Sequence, residues 1–126
     1  MRTELKDLLS AVVARLQSAH GSVPARSLVR PDVLPCVLIQ GMEERDRRRD
    51  KSGELIEATL TIGHYSTSLG EALSLAETTA SALSTQIVLS DARTWEARLV
   101  TSETIVDTSG PETIYDRVLV VRLTAG

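Results

Sequence analysis

The sequence predicts an α+β fold: a mixed, mainly antiparallel sheet of four or five strands with two helices packed on one face. Three observations predict it. Apolar residues recur at helical spacing near the N-terminus, a second helix opens with a capping signal at Ser68, and the segments between and after them alternate or run apolar as strands do.

In the first helix, Leu5, Leu8, Leu9, Val12, Val13 and Leu16 follow the three-then-four spacing that lines one stripe. Thr3 is placed to cap it, and His20-Gly21 to end it, since glycine takes the left-handed conformation that closes helices. Gly21, Pro24, Pro31 and Pro35 make residues 21–35 a connector, with a short extended piece expected at Ser27–Arg30. A connector of this length is either ordered by packing or reaches outward to a neighbour. Pro35 to Met42 reads as a buried strand entered by a proline. Glu54 to Tyr65 pairs with it as a hairpin, Ile56, Ala58, Leu60 and Ile62 facing the core and Glu57, Thr59 and Thr61 facing water.

Ser68 and Glu71 form the S-x-x-E capping box of the second helix. Ala72, Leu73, Ala76, Ala80, Leu83 and Ile87 make its apolar stripe. Ser74, Thr78, Ser81 and Thr85 line the opposite side with hydroxyls where a solvated helix more often carries Lys and Glu, so this face is a candidate contact with another subunit. Trp95 to Val100 alternates as a strand, Glu103 to Asp107 continues or pairs with it, and Thr108-Ser109-Gly110-Pro111 is a turn. Thr113 to Thr124 is the last strand, and its Val118–Val121 run suits a central position or one covered on both sides in an assembly.

The chain of 126 residues fits one domain, residues 1–126, without internal repeats; such a domain hides roughly two-thirds of its unfolded surface. With 42% hydrophobic and 25% charged residues it is ordinary globular material. Packing is expected to be aliphatic, because Phe is absent and Trp95, Tyr65 and Tyr115 supply the only rings. That scarcity argues against stacking single-stranded nucleic acid, and the net charge of −3 against gripping duplex phosphates. No apolar run approaches the roughly 20 residues a bilayer span needs, and the N-terminus has no signal-peptide layout, so the chain is expected to stay in the cytoplasm of the cell that makes it.

Catalytic candidates reduce to His20, His64 and Cys36. His64 reads as a strand-end residue, Cys36 as a small hydrophobe within Cys36-Val37-Leu38-Ile39, and no strained serine elbow is present. Neither a metal-ligand motif nor a phosphate-cradling glycine loop occurs, so no enzyme activity, metal or cofactor is expected. The stretch Glu43 to Gly53 is dense with charge. It reads either as a solvated loop whose acids and bases offset one another, or as a docking arm. In the second reading Arg45, Arg47, Arg48, Arg49 and Lys51 meet an acidic partner or passing DNA through the two-point geometry of guanidinium.

Three blocks of the chain, in this order, resemble the tail-completion and tail-terminator proteins of long-tailed bacteriophages and related gene transfer agents. They are the N-terminal helix with its connector and Leu34-Pro35-Cys36-Val37-Leu38-Ile39; Leu60 to Ser66 leading into Glu71 to Glu77; and Tyr115 to Leu123. The resemblance implies a virion structural protein, located at the head-proximal end of the tail and assembled in the host cytoplasm. It would form a homo-hexameric ring that caps the tail tube, stops its polymerisation and offers the surface for head-tail joining. The implied partners are further copies of the chain, the tail tube protein and a head-completion or neck protein, with DNA passing through the lumen without specific binding. A ring of this kind needs two different adhesive sides on each subunit. The alternatives are a neck or head-tail connector protein, and a small dimeric ligand-binding α+β domain, against which the aromatic shortage counts.

Overall fold

The computed structural model describes residues 3–27, 30–45, 57–89 and 93–125. Two helices, α1 (Thr3–His20) and α2 (Leu69–Ala82), lie against a mixed six-stranded sheet curled as a half-barrel. The strands are β1 (Ala25–Arg26), β2 (Cys36–Arg45), β3 (Glu57–Ser66), β4 (Ile87–Val88), β5 (Thr94–Asp107) and β6 (Ile114–Ala125). They lie in the order β1-β2-β3-β6-β5-β4, with β1 parallel to β2 and every other pair antiparallel. The expected α+β architecture is present with more strands than the four or five read from the sequence. The surplus is β1 and β4, each of two residues, too short to express a period.

α1 forms where its stripe predicts. Leu5, Leu8, Val12 and Leu16 are buried, and Leu9 and Val13 pack at the margin. Each fully buried leucine contributes roughly 2–3 kcal/mol. Gly21, at φ 64°, closes the helix as expected, and its N–H donates to the Gln17 carbonyl at 3.1 Å. The connector is then held by the Gln17 side chain, which donates to the carbonyls of Gly21 and Val23 and accepts from the Ala25 N–H at 3.0 Å. That grip sets Ala25–Arg26 beside β2, so the extended piece lies ahead of the predicted Ser27–Arg30; Leu28 and Val29 fall outside the described residues.

β2 and β3 form the expected hairpin, with β2 running on to Arg45. A bulge between Ile39 and Gly41 switches the core-facing positions from Val37 and Ile39 to Met42. Ala58, Leu60 and Ile62 are fully buried as expected, but Glu57 is buried too, 1% exposed. Its Oε1 lies 3.4 Å from the Arg122 Nε on β6, so Glu57 departs from the wet side that alternation suggested, whereas Thr59 and Thr61 on the same face are half-buried. β5 is one continuous strand through Asp107, with a bulge between Leu99 and Thr101, and β6 is central, between β3 and β5.

At the start of α2 the Ser68 Oγ accepts from the Glu71 N–H at 3.3 Å. Glu71 does not return the bond to Ser68 as a capping box requires. Its carboxylate accepts from the Ser66 hydroxyl, and that oxygen takes the Ser68 N–H at 3.0 Å. The helix buries Ala72, Leu75, Ala76 and Thr79, not the predicted Leu73 and Ala80, which are exposed. Thr79 can occupy the core because its hydroxyl is fully partnered, as described below. Ile87 belongs to β4.

Candidate assembly surfaces

The hydroxyl stripe survives in part. Ser74, Thr78 and Ser81 line one side of α2 and, with Glu77, Ala82 and Ala19 of α1, border an open groove of about 450 Å³. Thr78 donates back to the Ser74 carbonyl at 3.1 Å, so this hydroxyl is satisfied within the helix while the residue remains accessible. Thr85 is not on the stripe, because α2 stops at Ala82. It takes part instead in a clamp that sequence reasoning missed. Arg15 of α1 donates to the Thr85 hydroxyl at 2.8 Å, to the carbonyls of Thr85 and Ala82, and to the Gln86 carbonyl at 2.8 Å. A guanidinium there satisfies the carbonyls left open where a helix ends and complements the negative end of its dipole.

Of the arginine-rich segment, Arg45 ends β2, while Arg47, Arg48, Arg49 and Lys51 lie outside the described residues. The backbone places their attachment at the end of the sheet formed by Arg45, Glu57 and the last residues of β6.

His64 is not the ordinary strand-end residue expected. It is fully buried on the helix side of β3. Its Nδ1 lies 2.7 Å from the Arg117 carbonyl, which can only accept, so Nδ1 carries the proton and Nε2 accepts from the Thr79 hydroxyl at 2.7 Å. The Thr79 oxygen in turn accepts from the His20 Nε2–H at 2.8 Å. Burial pushes His64 down to about 4, a trend opposed by the Arg117 carbonyl and helped by His20 nearby; burial also lowers His20. With both ring nitrogens engaged inside the core, His64 ties α1, α2 and the sheet together and has no nitrogen to offer a substrate. Among the described residues no group of three or more His, Cys, Asp or Glu is placed to hold a metal ion. Cys36 is buried, as its apolar surroundings predicted, and burial together with Asp32 pushes its thiol up to about 11.

The sheet face turned away from the helices holds a cleft of about 710 Å³, reaching from Arg30 and Pro31 to Glu103 and Asp107. Its floor is a polar network. Gln40 Nε2 donates to the Tyr65 hydroxyl, Tyr65 bonds Asp116, and the Asp116 Oδ1 accepts from the His64 N–H at 3.0 Å. Burial raises Asp116 despite these bonds. Gly63 is needed beneath them, since a Cβ there would stand 2.8 Å from Tyr65 Cε2 and 2.9 Å from both Asp116 Oδ1 and Gln40 Oε1.

The two sides of the sheet are open. β4 covers the outer edge of β5 only at Thr94 and Trp95, and from Glu96 to Asp107 no described strand lies on that outer edge, β6 being on the inner one. That stretch exposes Leu99, Val100, Ile105 and Val106 by 43–52%. On the opposite side β1 covers β2 only at Val37 and Leu38, and the connector exposes Val33 by 44% and Leu34 by 39%. No helix is long and apolar enough to cross a membrane among the described residues.

No family model matches the chain, and no curated protein does. Solved structures do. The chain is similar over its full length to a chain of the virion of a native gene transfer agent particle, whose whole length is also covered, at 18% identity and a TM-score of 0.62. It is likewise similar to bacteriophage SPP1 gp17 protein, over 98% of this chain and 91% of that one, at 21% identity and a TM-score of 0.62. At these identities the likeness is one of fold: this chain has the architecture, from end to end, of proteins found in a gene transfer agent virion and encoded by a bacteriophage.

Proposed function

We propose that this chain is a structural virion protein that forms a ring, of about six copies, on the head-proximal end of a tail tube, ends the tube's growth and offers the surface to which the head joins. What supports the reading most directly is the whole-length likeness of fold to a gene transfer agent virion chain and to bacteriophage SPP1 gp17. Two features of the molecule agree with it. Among the described residues the sheet is open on both sides and carries exposed apolar side chains there, which suits a subunit that meets its neighbours through two different surfaces. Buried His64, joined through Thr79 to half-buried His20, is spent on holding the layers together.

In this reading residues 1–126 act as one domain, and the partners are other copies, the tube protein and a neck protein. Ser74, Thr78 and Ser81 border a contact between subunits, Thr85 being held in the Arg15 clamp, and Arg45, Arg47, Arg48, Arg49 and Lys51 form an arm that docks on an acidic partner surface. A net charge of −3 lets DNA pass the lumen without being gripped.

The test is capping. Purified protein added to growing tail tubes should arrest their length and appear at one end by electron microscopy, and the triple change of Arg47, Arg48 and Arg49 to Ser should fold normally yet weaken attachment. Tubes that elongate unchanged in its presence refute the reading; protein that binds heads and ignores tubes moves it to the neck.

A further inference from the structure

We propose that His20, Thr79 and His64 form an acid latch on the seam between α1 and α2: the chain of three side chains takes one proton intact, the second breaks it, and the last turn of α1 then lifts from α2. The latch is independent of the ring reading. It follows from a count of donors and acceptors. The His20 Nε2–H donates to the Thr79 hydroxyl at 2.8 Å, that hydroxyl donates to His64 Nε2 at 2.7 Å, and the His64 Nδ1–H is committed to the Arg117 carbonyl. A proton added at Nδ1 of His20 leaves all of these bonds in place. A proton added to His64 alone also fits, because His20 can carry its own proton on Nδ1 and accept from Thr79 with the chain reversed. Two protons do not fit. Both rings then only donate, toward one hydroxyl that has its own hydrogen to place, and two positive charges face each other with ring centroids 6.3 Å apart. The first proton goes to half-buried His20 and the breaking one to His64, which is fully buried.

The surrounding charges do not relieve the second proton. Arg15 of α1 is spent on the end of α2, and Glu77 of α2 borders the open groove, exposed to solvent. The Arg117 guanidinium of β6 is held by Thr104 and Ser102 of β5, and Asp116 takes the His64 backbone N–H from the other face of the sheet. On β2, Val37 stands opposite His64 and Cys36 next to it is a neutral thiol. Among the described residues no carboxylate bonds either ring. The His20 end is the one that yields. After Leu16 the last turn of α1 buries no side chain: Ser18 and Ala19 are exposed, and Gln17 is turned to the connector. His20 is the tie of this turn to α2. Ala19 and Thr78, which precede His20 and Thr79 in the chain, both line the groove of about 450 Å³, so lifting the turn widens that groove. The closed form keeps His64 neutral and the lifted form admits water to it, so acid favours lifting.

The unmodified chain tests this by NMR of the imidazole nitrogens and by amide exchange from pH 7 to pH 4.5, corrected for the intrinsic rate. At pH 7 His64 should carry its proton on Nδ1 and His20 on Nε2. On acidification His20 should charge first. As His64 follows, the Gly21 N–H, which reports the last turn through its bond to the Gln17 carbonyl, should lose protection about tenfold or more beyond the loss seen in central β6. His64→Gln, which does not charge, should hold Gly21 protection level over the same range. His64 charging before His20, Gly21 and β6 losing protection in step, or His64→Gln losing it as wild type does would each overturn the latch.

Discussion

Acid should loosen this protein through His64. The folded chain holds that ring neutral down to about 4, whereas the unfolded chain takes up its proton near 6.5. The stability this contributes is therefore complete above about pH 6.5, is lost as pH falls through the window, and is gone below about 4; the full drop is about 3 kcal/mol. The cause is burial first, because a charged imidazole among α1, α2 and the sheet has no water. A protonated Nε2 would also have to donate toward Thr79, whose oxygen already accepts from His20. Asp116, raised by its own burial, works in the opposite direction, so the raw acid slope is not the measure. The measure is the difference between wild type and His64→Gln, which keeps polar atoms in the site but does not titrate. Urea unfolding at one protomer concentration, at pH 7 and pH 4.5, should show wild type losing about 2–3 kcal/mol more than the variant. A histidine proton titration by NMR should place His64 well below its neighbours in the unfolded chain. A His64 midpoint near 6.5, or equal acid losses in the two proteins, would refute the reasoning.

Four further outcomes are expected. Thr79→Val keeps the shape but leaves ring nitrogens of His20 and His64 without a partner, and should cost about 2 kcal/mol in urea unfolding, with Thr79→Ser recovering most of it. Gly63→Ala pushes a methyl group into Tyr65, Asp116 and Gln40 and should lower stability by about 1–3 kcal/mol, seen as a reduced Tm. Arg15→Met removes the clamp on the end of α2 and should cost about 1 kcal/mol, with Arg15→Lys intermediate because ammonium lacks the planar fork. Cys36, buried and raised to about 11, should resist thiol reagents at pH 8 in the folded protein and react at once in urea.

The main elements were legible in the sequence because each depends on a local rule. The spacing from Leu5 to Leu16 declares an amphipathic helix wherever it is packed, Gly21 stops it, and Ser68 starts the next. The apolar run of β6 marked a central strand, since only burial on both faces tolerates it. The functional surfaces were legible only in part. The hydroxyl stripe was visible at helical spacing, but where α2 ends was decided by the Arg15 clamp from a helix 67 to 71 positions away in sequence.

Sequence by itself determined the fold class, a core that is aliphatic apart from Trp95, and the absence of a recognisable catalytic motif, all of which follow from residue type and short-range period. Tertiary structure decided the rest. The pairings of β1 and β4, the burial of Glu57 beside Arg122, and the His20–Thr79–His64 chain bring together residues that no local pattern links. The same holds for the open flanks of the sheet. A strand announces its faces through alternation, but whether its edge is covered depends on which other strand arrives beside it, and alternation within the strand does not report that.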